Sequence, residues 1–181
     1  MATRIIDCCA FLNLYAGWAG LEELRALPHT WHVCEAGYNE SEFTREYGAD
    51  GSLIDVPLDL RPLVKSELLK IVRPETDAEL ANYVDFAQEV DDGEAQALAI
   101  AKHRGYVLLT DDRKALNIAA RPEVAVATIT TVGVLREWQL HNQVDAQALR
   151  QVVERISVLA RFTPPKNTPD RQWWQAQLGP V

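Results

Sequence analysis

The sequence predicts an α/β protein built on a parallel sheet. Two observations carry this. Short apolar runs of strand length, such as Tyr106-Val-Leu-Leu-Thr110 and Val124-Ala-Val-Ala-Thr128, have no polar face and read as strands buried on both sides. Between such runs lie segments with helical spacing, and strands alternating with helices imply βαβ units.

Taken in order, Arg4-Ile-Ile-Asp7 reads as a short buried strand ending on a carboxylate, and Phe11 to Ala16 as a helix. Leu21 to Leu27 forms a second short helix closed by Pro28, and Thr30 to Cys34 has the β-branched and aromatic content of a strand. The acidic run Glu35 to Tyr47 reads as helical despite Gly37 and stops at Gly48. Ser52 to Leu58 alternates like an edge strand or hairpin arm, with Pro57 keeping it from a sheet centre. Leu60 to Val72 and Ala78 to Val90 are expected as two helices. Asp92 to Arg104 is an Ala-rich helix stopped by Gly105, with Ala95, Leu98, Ala99 and Lys102 on one face. After the Tyr106–Thr110 strand come helices over Arg113–Ala120 and Thr131–Leu140, separated by the Val124–Thr128 strand. An amphipathic helix runs from Asp145 to Phe162, and the Pro-rich Thr163–Pro169 links it to a tail bearing Trp173-Trp174. The expected organisation is one domain over residues 1–142 followed by a C-terminal helix and tail over 143–181.

The composition sets bounds on function. At 181 residues the chain buries roughly 70% of its unfolded surface and needs no staples. Three cysteines, two of them adjacent (Cys8, Cys9), make no disulfide framework and suggest a reducing compartment. With neither a secretory leader nor an apolar stretch of membrane-spanning length, the expectation is a cytoplasmic protein. The net charge of −8 opposes unspecific nucleic-acid binding. It suits an enzyme that gathers carboxylates around divalent cations, because the metal reverses the local sign.

Three acidic positions share one setting. Asp7 ends the first strand, Asp111-Asp112 ends the Tyr106–Thr110 strand, and Glu94 opens the helix before it. Ligands of open α/β sheets sit outside the carboxyl ends of the strands. Carboxylates collected there repel one another unless a cation neutralises them. Hard oxygen ligands with no nearby His or Cys select Mg²⁺ or Mn²⁺ over zinc. The chemistry expected of such a centre is metal-assisted phosphodiester hydrolysis. Each residue also has a plainer role: Asp7 as a turn or cap, Glu94 as a first-turn acid, Asp111 and Asp112 as N-cap and first-turn acid, and Glu40 on a solvated helix face. Their conjunction at one sheet edge favours the site.

These residues resemble a known family. Asp7 after Ile5-Ile6 with Leu12-Asn13-Leu14 behind it, Val33 before a helix bearing Glu40, and the run Asp92-Gly-Glu-Ala are similar to PIN domains. So are Leu108-Leu-Thr-Asp-Asp-Arg113 and Val132-Gly-Val-Leu135, in a resemblance reaching from about Arg4 to Leu140. It implies a three-layer α/β/α sandwich and a Mg²⁺- or Mn²⁺-dependent endoribonuclease of the Gly-Glu-Ala branch of toxin-like nucleases. It also implies an RNA substrate, an antitoxin protein partner and a homodimer. By the same resemblance Asp7, Glu94 and Asp111 or Asp112 bind metal, Glu40 (or Glu42) assists, and Thr110 orients a ligand or water. The long Leu60–Val90 region and the C-terminal extension exceed the compact toxin length.

Other features carry less. His29 and His32 lack a second ligand pair, and one of Cys8 and Cys9 is expected to face the core. Lys65, Lys70, Arg73, Lys102, His103, Arg104, Arg113 and Lys114 offer a basic frame for RNA or simply solvated charge. Two rival readings remain: a non-catalytic PIN-like module binding RNA or protein, and a phosphatase with Asp7 as nucleophile. The phosphatase ranks last, since such enzymes want a second Asp at position 9, which is Cys.

Overall fold

Five strands pair in parallel in the order β5-β2-β1-β6-β7, where β1 is Ala2–Ile6, β2 His29–Cys34, β5 Leu69–Val72, β6 Val107–Leu109 and β7 Thr128–Ile129. The structure is a computed structural model and describes residues 1–40 and 43–179. Helices flank the sheet on both sides, and side chains along its strands alternate between two cores. Ile6 and Leu109 point into one core with Phe11, Leu14, Trp31 and Trp174, whereas Ile5 and Leu108 point into the other with Leu98, Ile100 and Ile118. This is the α/β fold with a central parallel sheet that the sequence predicts.

Helix α1 (Cys8–Trp18) follows β1 directly, and α2 (Glu35–Glu40) follows β2. A hairpin of β3 (Phe43–Tyr47) and β4 (Leu53–Pro57) then leaves the sheet, before α3 (Arg61–Lys65) leads into β5. Helices α4 (Asp77–Phe86) and α5 (Asp92–Arg104) pack together before β6, and α6 (Arg113–Ala119) joins β6 to β7. Helices α7 (Thr131–Asn142) and α8 (Ala146–Arg155) come next, then a π-helical turn over Ile156–Ala160 and α9 (Pro169–Leu178).

Four elements differ from the sequence reading. The helix expected over Glu35–Tyr47 is only six residues long, and Phe43–Tyr47 is a strand. Asp50 and Gly51 turn the chain so that this aromatic, alternating segment pairs with Leu53–Pro57. The helix expected over Leu60–Val72 ends at Lys65, Glu67 takes a left-handed conformation, and Leu69–Val72 becomes the edge strand beside β2. The apolar run Val124–Thr128 is mostly loop. Val124 and Val126 fill the second core without a ladder, Ala125 has φ 50°, and pairing begins only at Thr128. The long helix over Asp145–Phe162 changes to π geometry at Ile156.

The segment beyond residue 142 is packed into the first core. Leu149, Val153 and Ile156 are buried there, and Trp174 is fully enclosed beside Phe162, its Nε1 donating to Ser157 Oγ at 3.2 Å. Arg155 Nε reaches the carbonyls of Ala16 and Gly17 at 3.0 and 3.1 Å, satisfying acceptors at the C-terminal end of α1. A Cβ on Gly17 would lie 2.8 Å from Ile156 Cγ1, so only glycine allows this approach. Trp174→Ala is expected to cost about 3–5 kcal/mol. Urea unfolding checks this, and a loss below about 1 kcal/mol would show the extension to be dispensable to the core.

Candidate metal centre

The chain runs from β1 to β2 on one side and later returns to β6 on the other, so the sheet order reverses at β1. The crevice at such a switch point is where an open α/β sheet binds ligands. Asp7 stands at its floor. Its backbone N–H donates to Leu109 O at 2.9 Å, which extends the ladder by one residue and fixes the side chain at the strand end. Although Asp7 is the N-cap of α1, its carboxylate makes no cap bond. Oδ2 accepts from Thr110 Oγ1 at 2.9 Å, and Oδ1 is buried with no hydrogen-bond partner. The residue is 1% exposed. Burial, then the charges of Glu94 and Asp111, push its pKa up to about 7 against the opposing Thr110 bond.

Glu94 faces it from the first turn of α5. A Cβ on Gly93 would lie 2.7 Å from Glu40 Oε2 and 3.5 Å from Gly37 Cα, so the two glycines let α2 and α5 approach closely. The glycine of the Gly-Glu-Ala run thus has a packing role. Burial raises the Glu94 pKa, helped by Asp91 and Asp112. Glu40, the weaker assignment from sequence, lies at this α2–α5 contact. Its carboxylate accepts from the Gly93 N–H, and burial and Asp92 raise its pKa. The alternative residue Glu42, like Ser41, lies outside the described residues.

The Asp111-Asp112 pair divides its duties. Asp111 Oδ1 accepts from Thr131 N at 3.0 Å, and Oδ2 from Asn13 Nδ2 at 3.0 Å and from the Thr131 hydroxyl. Burial raises its pKa, and these bonds oppose the rise. Asp112 caps α6 by accepting from Ala115 N at 2.8 Å. Thr110 Oγ1, having donated to Asp7, accepts from Asp112 N at 3.1 Å. Its hydroxyl therefore ties the two strand-end acids together.

Among the described residues, one group has ligand atoms mutually close enough to hold a metal: Asp7, Cys9 and Glu94, all within 4.8 Å of one another. The donor set suits a divalent cation. The orphan Oδ1 of Asp7 lacks a positive partner, Glu94 raises the Asp7 pKa, and burial with Asp91 and Asp112 raises that of Glu94. The expectation that no Cys lies near these oxygen ligands is corrected, because the exposed Cys9 thiol shares the cluster, while Cys8 beside it is half-buried. Asn13 and Thr131, which orient Asp111, were also missed. The sequence signal for Asn13 was a lone amide in an otherwise apolar helix.

Beside these acids lies a cavity of about 680 Å³ whose walls include Asn13, Phe43, Arg45, Asp111, Asp112, Arg161 and Phe162. Its cations differ from the basic residues singled out in the sequence. Arg104, for example, is committed to Glu79 at 2.6 Å and to the Arg73 carbonyl at 2.7 Å. Trp173 and Trp174 pack against Arg136 and the core.

A PIN-domain family model (DUF3368) matches residues 5–166. The chain belongs to the PIN-domain family. Its members are typically metal-dependent nucleases, and this membership leaves no place for the phosphatase alternative. No curated protein and no solved structure matches the chain. No helix among the described residues is long and apolar enough to cross a membrane.

A carboxyl held protonated by burial makes the fold more stable at low pH. The folded Asp7 value of about 7 exceeds the unfolded value, so stability falls as pH rises from about 4 through 7. Asp7→Asn is expected to remove this loss, raising metal-free stability above pH 7 by an amount on the order of a few kcal/mol. Chemical denaturation of both proteins in chelator at pH 5 and pH 8 measures it. Equal pH dependence in the two proteins would contradict the assignment.

Proposed function

We propose that this PIN domain is a divalent-metal-dependent endoribonuclease that hydrolyses RNA phosphodiesters with Mg²⁺ or Mn²⁺. The observation that carries the reading is the unpartnered Oδ1 of buried Asp7 opposite Glu94 at the sheet's switch point. Asp7 and Glu94 are the residues that would hold the cation, with Asp111 and Asp112 adding negative charge beside them. A bound divalent ion supplies a lowered water pKa and neutralises charge building on the phosphate. Thr110 orients Asp7 and leaves its other oxygen free for a ligand. Glu40 acts through the Gly93 contact and is a positioning residue.

The substrate path we infer is the adjoining cavity. Arg45, whose Nε pairs with Asp55 at 3.5 Å, keeps a buried Nη1 without a partner, and Arg161 is exposed at the wall. Both suit phosphates. Leu12, Phe43, Leu159 and Phe162 supply apolar walls against which an unpaired base can lie. A toxin role, with an antitoxin partner and a homodimer in the cytoplasm, rests on family resemblance. Growth arrest on expression, relieved by Asp7→Asn, is its test.

Single-stranded RNA incubated with purified protein and Mn²⁺ is expected to be cut. Loss of a metal ligand costs no less than loss of its orienting partner, so Asp7→Asn and Glu94→Gln should lower the rate by more than roughly 100-fold, and Thr110→Val by about 10- to 100-fold. Intact RNA with wild-type protein in both Mg²⁺ and Mn²⁺ would overturn the reading. Arg45→Ala is expected to raise KM about tenfold with little change in kcat, the loss of one charge-assisted contact. A fall in kcat alone would place Arg45 elsewhere in the mechanism.

A further inference from the structure

Cys9 occupies a place that phosphodiester hydrolysis by oxygen-ligated ions leaves unexplained. It lies in the first turn of α1, two residues past Asp7, and its Sγ is within 4.8 Å of carboxylate oxygens of both Asp7 and Glu94. It is exposed, so an ion can reach it from solvent. The other two cysteines are placed differently. Cys34 is buried, donating to Gly93 O at 3.2 Å and accepting from Gly37 N at 3.3 Å, and Cys8 stands outside the cluster.

We propose that Asp7, Cys9 and Glu94 form a three-ligand site for a thiophilic divalent cation of the zinc class, with Cys9 Sγ as its selective ligand and a fourth position open. The inference rests on the metal-centre reading above and adds the thiol to it. Two observations converge: the three donor atoms are gathered, and Asp7, which supplies one of them, has a buried Oδ1 without a hydrogen-bond partner. Three protein ligands with an open position are the arrangement of catalytic zinc sites. Binding replaces the thiol proton: the S–H bond breaks, a sulfur–metal bond forms, and the proton leaves to solvent. A hard ion has little affinity for sulfur and uses the carboxylates alone. A soft ion recruits all three ligands, and it outcompetes Mg²⁺ or Mn²⁺ for Asp7 and Glu94. The consequence is a nuclease centre displaced from its working ion by zinc-class cations.

The test uses the full chain in reducing buffer, titrated with Cd²⁺ as a spectroscopic stand-in for zinc and with Mn²⁺ followed by electron paramagnetic resonance. Wild type is expected to bind one Cd²⁺ with an ultraviolet thiolate-to-metal charge-transfer band and to release bound Mn²⁺ as it does so. Cys9→Ser is expected to lose the band and to weaken Cd²⁺ by about 10- to 100-fold while keeping Mn²⁺ affinity within about threefold. Retained Mn²⁺ binding also shows that the variant is folded. Cys8→Ser and Cys34→Ser should keep the band. A band that persists in Cys9→Ser, or Cd²⁺ bound by wild type without one, overturns the thiol assignment while the carboxylate centre stands. Wild type that binds neither Mn²⁺ nor Cd²⁺ overturns the centre itself.

Discussion

The burial of one carboxylate at the end of the central strand is the constraint on which the site depends. Asp7 cannot withdraw to water, because its backbone is held in the ladder by Leu109 and its side chain by Thr110. Taking an ionised carboxylate out of water costs several kcal/mol even after the surroundings relax. The Thr110 hydroxyl and the Cys8 backbone N–H do not offset that cost, and Glu94 adds to it. Without a cation the group resolves the conflict by taking up a proton. With one, the same geometry is a set of converging anionic ligands whose repulsion is already paid for by the folding of the sheet.

The rest of the fold reads as a means of holding that geometry. Parallel pairing of β1 with β2 and β6 brings the carboxyl ends of three strands to one edge. Gly37 and Gly93 let α2 and α5 approach until Glu94 faces Asp7. Helix α1 carries Cys9 and Asn13, and it is clamped at its far end by Arg155 and by the Gly17–Ile156 contact. The C-terminal segment, distant in sequence from the acids, thus fixes the helix that two of the site's side chains ride on. The π turn after Arg155 places Leu159 and Ala160 on the cavity wall. Such turns are frequent at functional sites.

The fold class and the principal acids were legible because they rest on local signals. Apolar runs ending on Asp7 and on Asp111 mark strand ends, and Gly105 marks a helix stop. The failures share a cause: the deciding interaction was non-local. Phe43–Tyr47 becomes a strand because of the turn at Asp50-Gly51 and its partner Leu53–Pro57, and acidic composition alone suggested a helix. Leu69–Val72 has the length and residue types of a strand, but only pairing with β2 distinguishes it from a helix end. Val124 and Val126 show the converse, since apolar residues are buried there by a loop that forms no ladder. Cys9 was legible as a residue but not as a neighbour of Glu94, because 85 positions of sequence separate them and only the approach of α5 to β1 closes the gap.

The division of labour within Asp111-Asp112 follows from what each oxygen already does. Both oxygens of Asp111 accept bonds from Asn13 and Thr131, so it fixes the β6 loop to α1 and α7. Asp112 caps α6 and raises the Glu94 pKa through its charge. The two strand-end acids thus influence Asp7 and Glu94 separately, Asp111 through Asp7 and Asp112 through Glu94. Under the nuclease reading this arrangement also bears on the net charge of −8. An acidic surface repels an RNA strand, and Arg45 and Arg161 supply the positive charge along the cavity wall. A cation held by Asp7 and Glu94 would do more than assist bond cleavage, because it would reverse the sign of the field where a scissile phosphate would sit. On that reading, substrate affinity and catalysis would be coupled to the same ion.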